Sequence, residues 1–270
     1  MQARSALFDL YGDYLRPRGG RAPVSALVKL LAPLGIAAPA VRTAISRMVR
    51  QGWLRPVHLT SGPGYLLTPK AAGRLDEASS RIHRTGRVAW DGRFDLIVLQ
   101  SPVPPREARR LTHLGYGALG DHAWVAPRAV EEVETLMTSA SVRYERFVAA
   151  HAAGSPGAAE VAGRAWDLAK IARAYEHFIA TQRPIVAAVT ARSTDEEAFT
   201  ARFGLVHSWR SFLIRDPQLP AALLPSPWPG AGAATFFDRH TARLRPAADR
   251  YVERCLASVS KGGRVGFSDP

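Results

Sequence analysis

Cysteine is nearly absent from this chain. Cys255 stands alone, which excludes an intrachain disulfide and a cysteine-rich zinc site. No apolar run approaches the roughly 18 residues that mark a membrane-spanning helix. The amino terminus carries no signal-peptide hydrophobic stretch, and the expectation is a soluble cytoplasmic protein. The histidines lie at positions 58, 83, 113, 122, 151, 177, 207 and 240. No two have the His-x-x-x-His spacing of a helical metal site. Neither a Gly-x-Ser-x-Gly elbow nor a Walker loop is present. Together these absences argue against metalloprotease, serine-hydrolase and nucleotide-hydrolase chemistry, and no cofactor is expected. Carboxylates are scarce in the first third: residues 1–88 hold 14 of the 36 Lys and Arg but 4 of the 23 Asp and Glu. A domain so basic attracts polyanions by long-range field and by counterion release at phosphates.

What is present is clearest over residues 38–54. Pro39 suits the first turn of a helix. Val41, Ile45, Met48 and Val49 then recur as one buried helical face. The opposite face carries Arg42, Thr43, Ser46, Arg47 and Arg50, all hydrogen-bond donors and none a carboxylate. Gly52 stands where such a helix stops. A short helix with an apolar back and a cationic, hydroxyl-bearing front fits a DNA major groove, although a solvated basic surface helix has the same pattern. Before it, Leu27, Leu30, Leu31 and Leu34 place another helix over 24–34, with Gly35 in the connection. After it, 53–59 and 65–68 read as strands around the turn residues Thr60-Ser61-Gly62-Pro63-Gly64. With a first helix over 5–15, the order is that of a winged helix-turn-helix.

A polar connecting helix is expected over 69–84. The chain then changes character. Phe94 and Leu96 to Leu99 mark a buried strand over 93–100. Helix 104–114, strands 116–119 and 122–126, and helix 129–139 follow, most of a ferredoxin-like β-α-β-β-α-β unit. Residues 152–162 are small and Gly-rich and are expected to form a loop. Helices are expected over 165–181, 194–215 and 235–257, with a Pro-rich connection over 220–232. In the first of them Leu168, Ile171, Tyr175 and Phe178 form the core stripe.

These residues carry a family resemblance. The chain resembles the phenylacetic-acid-catabolism repressors, the PaaX-type transcriptional regulators. The matching motifs are Ser5-Ala-Leu-Phe-Asp-Leu-Tyr-Gly-Asp-Tyr14, Leu30-Leu-Ala-Pro-Leu-Gly-Ile36, Val41-Arg-Thr-Ala-Ile-Ser-Arg47 with Gly52-Trp-Leu54, and Trp90-Asp-Gly92. Trp166-Asp-Leu168, Leu205-Val-His207, Asp216-Pro-Gln-Leu-Pro220 and Trp228-Pro-Gly230 continue them in family order. The resemblance implies an α+β multidomain chain: a winged helix-turn-helix over 1–86, a Cas2-like ferredoxin-fold middle domain over 87–150, an all-helical effector and dimerisation domain over 151–260, and a poorly ordered tail over 261–270. It also implies a homodimer that represses operator DNA, on an inverted repeat, and is released by an aryl-acyl-CoA thioester such as phenylacetyl-CoA. A DNA-binding regulator or interaction module without an acyl-CoA effector is the alternative.

Two departures from the family pattern stand out. The family wing is often built around Arg-x-Gly-Arg with a Tyr, whereas the turn here has no cation. The connecting helix ends Arg81-Ile82-His83, where a Tyr is common. The nucleases that the middle fold resembles hold a metal on an Asp at the end of the first strand. Here that place is Gln100-Ser101-Pro102, without a carboxylate to hold Mg²⁺; Asp95 lies inside the strand and Asp91 precedes it. No enzymatic activity is expected. An acyl-CoA pocket needs cations for phosphates and an apolar slot for the acyl group. The helical region offers His207 and Arg210 as first candidates, then Arg173, Arg202 and Arg215, with Trp166 as an aromatic wall. Each of these also fits an ordinary surface charge or core aromatic.

Overall fold

The computed structural model describes residues 1–82, 90–150, 152 and 157–260. The expected break near 84–92 lies largely outside the described residues. The boundary at 86/87, the His83 departure and the tail over 261–270 lie wholly outside them. Packing divides the chain into two compact units, neither continuous in sequence. The first comprises Met1–Arg84, Ala180–Arg210 and Thr235–Pro270, and the second Thr85–Ile179 and Ser211–Ala234. The contiguous three-part division of the sequence therefore cuts across both units.

Helix α1 (Ala3–Leu10) runs on as a π-helical turn over Tyr11–Leu15 and a 3₁₀ turn over Arg16–Arg18. Strand β1 (Arg21–Pro23) follows. Helix α2 (Val24–Leu31) ends in a 3₁₀ turn over Ala32–Leu34, and α3 (Ala38–Arg50) comes next. Strands β2 (Leu54–Leu59) and β3 (Gly62–Leu67) form an antiparallel hairpin in which Leu59 faces Gly62. The turn is thus tighter than the five residues expected. Strand β1 pairs with the far edge of β3, giving a sheet of order β1-β3-β2. Three residues ending in a proline show no readable period, and β1 is invisible in the sequence. Helix α4 (Pro69–Ile82) closes this stretch.

Strand β4 (Arg93–Leu99), helix α5 (Pro105–His113), strands β5 (Gly117–Ala118) and β6 (Ala123–Ala126), helix α6 (Glu132–Ser139) and strand β7 (Tyr144–Ala150) come next. The antiparallel sheet has the order β5-β6-β4-β7. Strand β7 completes the β-α-β-β-α-β run that the sequence leaves one strand short. Its alternation is hidden because a charged residue occupies an inward position. Arg146 donates to both carboxylate oxygens of buried Asp95, from Nε at 2.8 Å and Nη2 at 3.0 Å.

The remaining chain is helical, with corrections to the expected bounds. Residues 158–165 form helix α7 (Ala158–Ala165) instead of loop. Its stripe of Ala158, Val161, Ala162 and Ala165 is built of small side chains, a weak apolar signal in sequence, although Ala favours helix intrinsically. Helix α8 (Leu168–Ala188) continues through Pro184, past the expected end. Of its expected core stripe, Leu168, Tyr175 and Phe178 are buried and Ile171 is half-buried. Helix α9 (Asp195–Trp209) starts on a capping box: the Glu197 amide donates to Thr194 Oγ1, and the Thr194 amide to Glu197 Oε2, satisfying two otherwise orphaned donors. The helix expected to reach residue 215 stops here. A separate turn, α10 (Phe212–Arg215), follows, and the interruption coincides with the change of unit at 210/211. Helix α11 (Pro229–Ser260) is one helix that runs through Pro246.

The first unit's core joins chain ends. Leu7, Leu10, Tyr11 and Tyr14 from the amino-terminal helix pack with Leu27, Leu30, Val41, Ile45 and Met48, and also with Phe199, Phe203, Tyr251 and Val252. Two clusters stand out among the described residues of the second unit. Ile97, Leu99, Leu111 and Met137 fill one, and Phe94, Val125, Trp166 and Leu223 fill the other.

Candidate nucleic-acid interface

Helix α3 follows its sequence pattern closely. Of the expected apolar face Val41, Ile45 and Met48 are buried and Val49 is half-buried, and Ala44 is buried beside them, while Arg42, Thr43, Ser46, Arg47 and Arg50 are all exposed. Its end is fixed by Gly52 at φ +71°, after which the Trp53 amide donates back to the Met48 carbonyl at 2.9 Å. That left-handed residue is inexpensive only for glycine. The Thr43 and Ser46 hydroxyls donate to the Pro39 and Arg42 carbonyls at 2.9 and 3.1 Å. Their protons are used within the helix, and their lone pairs face outward as acceptors. Among the described residues no carboxylate pairs with Arg42, Arg47 or Arg50. Trp53 anchors the helix end: its ring meets Phe8 edge-on at 5.2 Å, and Lys70 Nζ sits 5.2 Å from its centroid.

The three-stranded sheet adds two cations that sequence reasoning missed. Arg21 on β1 and Arg55 on β2 both face Leu66 on β3. Residues directly opposite in antiparallel strands share a face. Both arginines are exposed, and no ion pair engages either among the described residues. The opposite face carries buried Ala22, Leu54 and Leu67. The basic character sought in the hairpin turn therefore stands on the strands. Only the register reveals it, since residues 21 and 55 are far apart in sequence.

The six residues considered for an anionic ligand are divided between the two units. Three lie in the first unit and hold its ends. Arg202, 5% exposed, pairs with Asp13 and donates to the Tyr14 hydroxyl at 2.8 Å and the Thr241 carbonyl at 3.2 Å. Burial opposes its charge, but Tyr14 and Asp13 outweigh burial and hold its pKa above the ordinary range. Arg210 donates to Asp9 Oδ1 at 2.5 Å, and His207 Nδ1 lies 2.5 Å from Asp9 Oδ2. Gly12, in the π-helical turn, makes room for this arrangement: a Cβ there would stand 2.9 Å from Arg210 Nη2. The other three lie in the second unit. Arg173 and Arg215 are exposed. Trp166 is buried, and its indole N–H has no partner among the described residues.

Comparison with known proteins agrees with this architecture. A family model described as PaaX-like protein matches residues 2–71, and one described as PaaX-like protein C-terminal domain matches residues 166–254. The transcriptional repressor PaaX of Escherichia coli strain K12 is 31% identical over 98% of this chain and 85% of its own length. The chain belongs to the PaaX family. Its place is thus among transcriptional regulators, not enzymes. An uncharacterised protein from Mycobacterium tuberculosis shares the fold, with a TM-score of 0.59 at 24% identity over 93% of this chain and 99% of that one. Both PaaX segments contribute to the first unit, whose ion pairs join Asp9 and Asp13 of the amino-terminal match to Arg202, His207 and Arg210 of the carboxy-terminal one. Among the described residues of this PaaX-family chain, no helix is long and apolar enough to cross a membrane.

Proposed function

We propose that this chain is a sequence-specific transcriptional repressor that reads operator DNA with α3. Residues 1–82 then act as a winged helix-turn-helix, and β4 to β7 with α5 and α6 as a Cas2-like ferredoxin-fold domain. One observation carries the reading: α3 presents Arg42, Thr43, Ser46, Arg47 and Arg50 together on an exposed face, with no carboxylate among the described residues neutralising the cations. In the major groove, arginine recognises guanine O6 and N7 by a two-pronged hydrogen bond. The hydroxyl oxygens accept from base amino groups. Arg21 and Arg55 contact flanking phosphates, which position the helix and carry no sequence information.

One short helix reads only a few base pairs. A homodimer on an inverted repeat doubles the site, with half-site centres one or more turns apart. The repressor name of the Escherichia coli relative and the family motifs support release by an aryl-acyl-CoA thioester, in the setting of an aromatic-acid catabolic operon. By linkage, the thioester releases DNA only by the ratio of its affinities for the free and bound forms. A regulator without such an effector is the second reading, favoured by the engagement of Arg202, His207 and Arg210 in internal pairs.

A footprint on DNA upstream of the protein's own gene, at near-physiological salt, tests both readings. A protected inverted repeat that phenylacetyl-CoA clears is the expected result. Protection that persists through a panel of aryl-CoA thioesters supports the second reading. Absence of any specific protection defeats the operator reading on that DNA.

A further inference from the structure

The second unit contains a cleft of about 420 Å³ that none of the six residues considered for an anionic ligand lines. Its walls are Trp90, Phe94, Val148 and Pro220, and its cations are Arg93 and Arg128. Trp90 is held in place: its indole N–H donates to the Arg93 carbonyl at 2.7 Å, and its ring lies 5.0 Å from that of Phe94. The acidic groups at the cleft are engaged. Asp91 Oδ1 accepts the Arg93 amide at 3.0 Å. Buried Asp95 accepts from Arg146 and from the Tyr116 hydroxyl. The guanidinium groups of Arg93 and Arg128 are exposed, and among the described residues neither has an acidic partner. The cleft is therefore aromatic and apolar within and cationic at its edge. That composition suits a planar apolar group joined to an anion, and the volume lies within the usual range for small-molecule sites.

We propose that this cleft, and not the helical residues with His207 and Arg210, is the effector site. The aryl end of the ligand lies against Trp90 and Phe94, and its anionic groups meet Arg93 and Arg128. The proposal rests on the effector reading above and gives that effector its place. A free aryl carboxylate and an aryl-acyl-CoA thioester share the required chemistry. In the thioester the pantetheine arm leaves over the cleft edge and turns back along it, which brings the phosphates to the two arginines that line that edge.

Calorimetry on the full chain distinguishes these cases, with phenylacetyl-CoA and phenylacetate as probes. Two variants are compared with the parent, Arg93→Ala/Arg128→Ala and Val148→Trp. All three positions are exposed, and an unchanged melting temperature verifies the fold. Losing a charge-assisted hydrogen bond weakens binding roughly tenfold or more, so the double variant should bind about a hundredfold more weakly. Val148→Trp fills the cleft and should weaken binding at least about tenfold. Should the parent bind a probe and both variants match it, the cleft assignment is overturned and the effector reading stands. Binding of neither probe by the parent overturns both. Binding of phenylacetate alone, lost in the variants, keeps the cleft and defeats the thioester.

Discussion

Two sets of arginines in the first unit have opposite fates. Arg202 and Arg210 on and beside α9 face inward to Asp13 and Asp9, and Arg202 is 5% exposed. Arg42, Arg47 and Arg50 on α3 face solvent, and among the described residues no carboxylate stands opposite. In sequence both sets are basic residues within expected helices. The acidic residues separate them. Asp9 and Asp13 sit on the amino-terminal helix one turn apart and draw the α9 cations in. Helix α3 has no such partners, so its charge remains available to an external polyanion. A buried charge costs heavily unless paired, whereas an exposed one costs little to leave free.

The largest expected effect comes from breaking the inward set. Replacing Arg202 with Ala leaves Asp13 without its main partner, and removing one member of a buried pair costs about 3–5 kcal/mol. Urea unfolding should show the loss, together with reduced operator binding. Unchanged stability would mean that Arg245, which also reaches Asp13 at 3.4 Å, carries the pairing alone.

Arg47→Ala should do the reverse. Stability stays within about 0.5 kcal/mol, as for exposed sites generally. Operator binding weakens by about 1–3 kcal/mol, while binding to random DNA changes far less. Equal losses on both DNAs would assign Arg47 to phosphate. No loss would remove α3 from the groove.

Gly12→Ala probes the junction that gathers the inward set. The added methyl meets Arg210 Nη2 at 2.9 Å and Leu75 at 3.1 Å, and overpacking of this kind costs about 1–3 kcal/mol. A variant as stable as the parent would show that the Asp9–Arg210 pair yields freely. Arg21→Ala and Arg55→Ala should each lower the slope of log affinity against log salt by about 1, without changing sequence preference. An unaltered slope would place the outer sheet face away from DNA.

The smallest effect lies in the second unit. Burial raises the pKa of Asp216, although the Tyr175 hydroxyl and the Gln218 amide pull it back. The folded protein therefore holds that proton more tightly than the unfolded chain does. This contribution is complete below the unfolded value and is lost as pH rises through the folded value. Asp216→Asn should flatten that part of the stability profile. Parallel profiles for parent and variant would show that Asp216 does not drive it.

Residues close in sequence were legible to the degree that their pattern was periodic. Helix α3, its glycine stop, the hairpin and the core stripe of α8 were readable because each is a local repeat. Strand β7 escaped because Arg146 turns inward to Asp95. Helix α7 escaped because its stripe is made mostly of alanines, whose apolar signal is weak. The helix expected to reach residue 215 was overextended, since apolar spacing alone does not register a stop between Trp209 and Phe212.

That the first third is basic, that α3 has a donor-rich face and that PaaX-type motifs follow in order are all legible in the amino-acid sequence. Those properties belong to composition and short-range spacing. Which cations are held in internal pairs depends on how the chain folds. Arg202 meets Asp13 across 189 residues, and Arg210 meets Asp9 across 201. Arg21 and Arg55 share a face only because β3 lies between their strands. Long-range pairing leaves no local period in a sequence, and a charge's energy depends on what surrounds it once the chain has folded.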